Sequence, residues 1–117
     1  MNDDSCDLLC LDLPQAEAVR ARLAGAEQAR TLATRAKALG DPTRLRIATA
    51  VLLGGQLCVC DLAWITGLPQ KLVSHHCGVL RTAGLAESER QGKLVLYRLT
   101  DVGQRLLTTL TGAAVAR

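Results

Sequence analysis

The stretch from residue 57 to residue 99 constrains the fold most, because glycine and proline cut its apolar pattern at regular places. A short helical segment of about 60–66 is closed by Gly67. Pro69 opens a second segment of about 69–83, closed by Gly84. In that second segment Val73, Cys77 and Leu80 recur at i, i+4 and i+7, which is one face of an α-helix. Residues 85–90 and 94–99 then flank Gln91-Gly92-Lys93. Tyr, Val and Leu around a central glycine read as a β-hairpin. Two helices joined by a glycine-containing turn of this length fit a helix-turn-helix. A hairpin placed directly behind one makes a winged helix.

The residues ahead of this stretch add helices. Asp12, with Gln15 three residues on and Pro14 in the first turn, reads as a helix start. That helix runs to about Leu23, and a second covers about 27–39. Gly40-Asp41-Pro42 is strong punctuation: a left-handed stop, a capping carboxylate and a first-turn proline. A third helix, about 42–53, carries Leu45, Ala48 and Leu52 on one stripe and Ile47 and Val51 on another. Both stripes are therefore expected to be buried. Asp101 is expected to cap a last helix of about 102–115. The fold class is mainly α with a small β-hairpin: a winged helix-turn-helix of five to six helices and a two-stranded wing. One domain is expected over 1–117, with an arm at 1–12, the helix-turn-helix at 58–83, the wing at 85–99 and the C-terminal helix at 101–115.

A chain of 117 residues with 49% apolar residues can bury a real core. That core must be aliphatic, since the only rings beyond histidine are Trp64 and Tyr97. So few aromatics argue against single-strand nucleic-acid binding by base stacking. The net charge of +3 permits nucleic-acid binding without demanding it. There is no bilayer-spanning run, and the acidic start Met1-Asn2-Asp3-Asp4 is not a signal peptide. A cytoplasmic protein is expected. Five cysteines in such a compartment point to metal binding or redox sensing more than to disulfides.

Four of those cysteines form two close pairs, Cys6 with Cys10 and Cys58 with Cys60. Cys58 and Cys60 stand where the first motif helix begins. Residues two apart on a regular helix point in nearly opposite directions, at about 100° per residue. The pair can chelate one ion only from the irregular backbone leading into the first turn. Four thiolates together suit soft or borderline ions such as Cd(II), Pb(II) or Zn(II). The competing account is that Cys58 and Cys60 are small buried apolar residues and that Cys6 and Cys10 are incidental to the arm. Asp61 is expected to be the helix cap rather than a ligand. Cys77, on the apolar stripe, is expected in the core. A Cys/His catalytic arrangement with Cys77 has no orienting partner, and no enzyme is expected.

The outward face of the second motif helix is polar, small and donor-rich: Lys71, Ser74, His75, Gly78 and Thr82, with Gln70 and Arg81 on the flank. Gln70, Lys71, Ser74, His75 and Arg81 are candidate contacts to double-stranded DNA, because such side chains reach base edges or phosphates. Arg90, Gln91 and Lys93 at the hairpin tip are candidate phosphate or minor-groove contacts. A plain solvated surface is the competing account for both. His76 falls on the inner flank, where packing and a hydrogen bond are expected.

Several stretches carry a resemblance: residues 38–47 (Ala-Leu-Gly-Asp-Pro-Thr-Arg-Leu-Arg-Ile), residues 57–62 (Leu-Cys-Val-Cys-Asp-Leu), Val73-Ser74-His75-His76 with Leu80, and the wing residues 92–97. In this order they resemble the ArsR/SmtB family of metal-responsive winged-helix repressors. Cys6 and Cys10, added to Cys58 and Cys60, are most similar to its CadC-like cadmium/lead sensor branch. The resemblance implies a homodimer that represses from operator DNA and leaves it when Cd(II) or Pb(II), or Zn(II), binds. It also implies a metal site in which the arm of one protomer meets the cysteine pair of the other. Two alternatives stay open: an As(III)-responsive repressor of the same fold, and a thiol redox-sensing regulator. The chain departs from the family in three places: Cys77 replaces a common Leu, Gly103 stands where a second, zinc-type site on the last helix would need a His, and the last helix is short.

Overall fold

Capping residues and glycines set most of the element boundaries. The computed structural model describes residues 10–113. Helix α1 spans Leu13–Arg22; the Gln15 amide donates to the Asp12 carboxylate at 3.2 Å, and Pro14 lies in the first turn. No residue of α1 is buried. Helix α2 spans Ala26–Ala38. The chain divides into two compact units, one ending at Arg30 and the other beginning at Thr31.

The second unit holds the core. Helix α3 (Pro42–Gly54) starts where Asp41 accepts from the Arg44 amide at 3.0 Å. Strand β1 is only Leu57–Cys58, and α4 (Val59–Thr66) follows it directly. Gly67, with φ +73°, ends α4 in the left-handed conformation that glycine adopts without a Cβ penalty. Helix α5 spans Gln70–Thr82, then come β2 (Ala86–Gln91), β3 (Leu94–Leu99) and α6 (Asp101–Thr111).

Helix α3 is the centre of this unit. Both of its apolar stripes are used: Ile47, Ala48, Val51 and Leu52 are buried, and the helix touches α4, α5, β3 and α6. Leu62, Val73, Cys77, Leu80, Leu85, Tyr97, Leu99 and Leu107 complete an almost wholly aliphatic core. Each fully buried leucine contributes roughly 1.5–3 kcal/mol, so this set suffices for a small domain without large rings.

The sheet has three antiparallel strands in the order β1-β3-β2, one more than the expected two-stranded wing. The β2–β3 hairpin turns on Gly92-Lys93, with Gly92 at φ +62°. Gln91 therefore ends β2 and is not part of the tip. In the extra pairing, Leu57 lies opposite Tyr97 and Cys58 opposite Leu96. Two residues are too short a run for a propensity signal, and only pairing with β3 makes them a strand.

Three helix starts differ from expectation. Thr100, not Asp101, caps α6: its hydroxyl accepts from the Gly103 amide at 3.2 Å and donates to the Gly84 carbonyl at 2.8 Å. Asp101 is instead the first helical residue, and the described helix ends at Thr111, short of the expected 115. Pro69 is the N-cap of α5 rather than its first residue, and it offers no capping side chain. The cap of α4 is Cys58, not Asp61.

Candidate functional site

Cys58 occupies a junction. It is the last residue of β1, paired with the wing strand β3, and the N-cap of α4. Its backbone is extended (φ −82°, ψ 165°), and its Sγ accepts from the Asp61 amide at 3.4 Å. Sulfur is a weak acceptor, so this cap is weaker than the serine or aspartate usual at such a position. Cys58 is 7% exposed, whereas Cys60, in the first turn of α4, is exposed. The two side chains thus leave the same helix start in different directions, one inward and one outward. Because Cys58 precedes the regular helix, the angular bar on a Cys-X-Cys chelate within a helix does not apply here.

Trp64 lies one turn beyond Cys60 and is 87% exposed. Cys10 is exposed and belongs to the first unit. Cys6 lies outside the described residues. Among the described residues, no group of three or more Cys, His, Asp or Glu side chains converges as a metal cage would require. Cys77 sits in the core at 1% exposure, and burial pushes its thiol up to about 11. It is a packing residue, as its place on the apolar stripe implied.

Helix α5 separates two kinds of surface. Val73, His76, Cys77 and Leu80 are buried, while Gln70, Lys71, Ser74, His75, Arg81 and Thr82 are exposed. Gly78 sits on the outer side with open space where a Cβ would be. The helix starts without a side-chain cap, so its first-turn amides add donors beside Gln70 and Lys71. Arg81 donates to the Ser88 hydroxyl at 3.1 Å, tying the end of α5 to the wing strand β2. At the far end of the hairpin Arg90, Gln91 and Lys93 are all exposed.

The inner flank of α5 is fixed by a contact across the chain. Arg44 on α3 approaches the His76 Nδ1 at 3.2 Å, and its Nε donates to the Ala38 carbonyl at the end of α2. The guanidinium can only donate, so Nδ1 accepts and His76 is held neutral with its proton on Nε2. Burial lowers the His76 pKa below its ordinary 6.5, opposed by the Asp41 charge. The Arg44 amide, donating to Asp41, holds that carboxylate below its ordinary 3.8. One arginine thereby joins the ends of α2 and α3 to the middle of α5. Nothing in the spacing of Arg44 and His76, 32 residues apart, signals this bond. Lys37, beside the same cluster, is equally silent as one of two basic residues in the last turn of α2.

Comparison with known proteins agrees with this geometry. Residues 41–88 match the family described as bacterial regulatory protein, arsR family. The chain is 46% identical over 65 residues to a cadmium resistance transcriptional regulatory protein CadC homolog of Staphylococcus aureus, covering 56% of this chain and 54% of that relative. It is 38% identical over 96 residues to the transcriptional repressor SmtB homolog of a Synechocystis strain, covering 82% of this chain and 72% of that one. Among solved structures it is similar to the homodimeric winged helix-turn-helix DNA-binding domain of Mb0332 from Mycobacterium bovis. That likeness has a TM-score of 0.69 at 27% identity, covering 77% of this chain and 88% of that one. The fold, the order of the motifs and these likenesses lead to one assignment: the chain belongs to the ArsR family of bacterial regulatory proteins, which are transcriptional regulators and not enzymes.

Proposed function

We propose that the chain is a homodimeric repressor that binds operator DNA through α5 and the wing and releases it when a soft metal ion binds its thiols. The observation that carries this is the double role of Cys58. A thiol caps the first helix of the motif, and its backbone pairs with the wing strand. The donor set has the right chemistry, since Cys58 offers a soft sulfur from the extended residue before α4 and Cys60 another from the first turn of that helix. Cys6 and Cys10 would complete a four-thiolate set suited to Cd(II) or Pb(II), with Zn(II) as a borderline alternative. When bound, such an ion supplies a strong, directional demand for sulfur lone pairs.

The chain's own residues translate that demand. For Cys58 to serve as a ligand, its Sγ would turn out of a nearly buried position. That would weaken the bond it accepts from the Asp61 amide at the start of α4, next to the Cys58–Leu96 pairing to the wing. Gln70, Lys71, Ser74 and His75 on α5, with Arg81 at its end, and Arg90, Gln91 and Lys93 on the wing are the proposed contacts to DNA. Each is exposed on an element next to that junction. The exposed apolar face between α2 and α6 supports the dimer. It is a groove of about 580 Å³ lined by Leu32, Leu39, Val102, Leu106 and Leu110.

The test uses duplexes selected by the native protein from a randomised pool. Cys58→Ser keeps an oxygen cap at α4 but removes the soft ligand. It is expected to bind these duplexes like the native chain and to lose release by Cd(II). Couplings of this kind are roughly 1–3 kcal/mol, or about 5–150-fold in affinity. If a Cys58→Ser/Cys60→Ser protein is still released by Cd(II), the mechanism is wrong. Parallel titrations with Pb(II), Zn(II) and As(III) rank the ions. Release by As(III) alone would replace the four-thiolate reading with a three-thiolate one.

A further inference from the structure

The last turn of α2 and the outer flank of α5 enclose a cleft of about 500 Å³ that the thiol chemistry leaves unused. Three cations line it, Lys37, Arg44 and Arg81, together with Ser74, His75 and Thr82. No carboxylate is among its lining residues. The backbone oxygens at this end of α2 are already engaged. The Leu39 amide donates to the Ala36 carbonyl at 3.2 Å and the Gly40 amide to the Lys37 carbonyl at 3.0 Å, while Arg44 takes the Ala38 carbonyl. The cleft therefore sets three cationic side chains and no carboxylate on a wall that is otherwise largely apolar, and the backbone carbonyls at this end of α2 are engaged.

Arg44 is the fixed member of the set. Its Nε and one terminal nitrogen are held by Ala38 and His76, which orients the remaining donors of a group that carries five N–H bonds. Lys37 and Arg81 are exposed and stand on opposite walls. Arg44 already has the Asp41 carboxylate nearby, but Lys37 and Arg81 face each other across the cleft as like charges, and an anion between them would relieve that repulsion. Ser74 and His75 belong both to this cleft and to the outward face of α5, so the cleft borders the DNA-reading face.

We propose that this cleft holds one phosphate group. Lys37 and Arg81 are its charged contacts and Arg44 is its oriented donor. The nucleic-acid interface thereby extends from α5 onto the end of α2, an inference that rests on the DNA-binding reading above. The contact carries no sequence information. It sets how α5 lies against the backbone of the duplex.

The experiment measures affinity of the full chain for a fluorescent duplex selected by the native protein, between about 50 and 200 mM salt. Each neutralised phosphate contributes about 0.9 to the slope of log affinity against log salt. Lys37→Gln, which leaves Arg81 and Arg44 on the same phosphate, is expected to lower that slope by part of this ~0.9, so that the salt-induced loss of affinity over this range shrinks by up to about 3.5-fold. Lys37→Arg is expected to retain the slope. Circular dichroism checks that each variant is folded. Inorganic phosphate, added at constant ionic strength, separates the sources. Competition with the duplex in the native chain that vanishes in Lys37→Gln shows that the cleft also takes free phosphate. An unchanged slope in Lys37→Gln, with no phosphate effect, overturns the proposal while leaving DNA binding intact. Failure of the native chain to select or bind any duplex would instead overturn the DNA-binding reading on which it rests.

Discussion

Gly103 gives the sharpest stability test. It is buried in the first turn of α6, and its amide donates to the Thr100 hydroxyl. A Cβ added there would fall well inside contact distance of the Leu85 carbonyl oxygen and 3.1 Å from the carbonyl carbon. That carbonyl is not free to yield, because it accepts from the Thr100 amide at 3.0 Å, and the Leu85 side chain is fully buried. Ordinary carbon contacts need roughly 3.5 Å, so two fixed backbone segments would have to part by on the order of 1 Å. Alanine in place of glycine gains about 1 kcal/mol of helix propensity. Overpacking of a dense core costs about 1–3 kcal/mol, and more where backbone must move. The clash therefore wins, and Gly103→Ala is expected to lose about 2 kcal/mol. With a urea slope of about 1–3 kcal/mol per molar, the unfolding midpoint should fall by about 1 M. A midpoint equal to or above the native one, with native circular dichroism, would refute the fixed docking of α6 on Leu85. The same contact bars a histidine, so the zinc-type site that the family resemblance would place here has no room for its ligand.

Gly78 should behave in the opposite way. It faces open space on α5, so Gly78→Ala is expected to raise stability by about 0.5–1 kcal/mol while weakening duplex binding; undiminished affinity would remove the idea that backbone approaches DNA there. His76 predicts a pH effect: its folded pKa lies below 6.5 because of burial, so the unfolded chain binds more protons as pH falls through that region. Stability should decline from about pH 6.5 downward, and His76→Gln should flatten that part of the profile of urea midpoint against pH.

The parts of this molecule that the sequence announces are those decided within a few residues. Gly40-Asp41-Pro42 places the start of α3 because a left-handed stop, a cap and a first-turn proline act locally. The stripe Val73, Cys77, Leu80 assigns the inner face of α5, and with it Cys77 to the core, by periodicity alone. Long-range pairing decides the rest. Thr100 and Asp101 are both good caps. Thr100 prevails because its hydroxyl also reaches the Gly84 carbonyl, 16 positions away. Arg44 and His76 meet only because α3 crosses α5. Lys37 joins the candidate interface only because the end of α2 lies beside that helix.

Cys58 shows most clearly what local rules miss. Asp61 is the better cap by propensity, yet it lies three residues inside the helix, because the pairing of Leu57 and Cys58 with β3 fixes where the strand ends and α4 must begin. That pairing leaves a sulfur, at 3.4 Å, to accept the bond that a serine oxygen would accept better. Departures from local preference tend to mark functional sites, and here the weaker cap is also the atom that a soft ion would draw away most easily. A firm oxygen cap would hold α4 in one state. On the proposed mechanism a weak sulfur cap costs less to release than an oxygen one, which suits a coupling of about 1–3 kcal/mol.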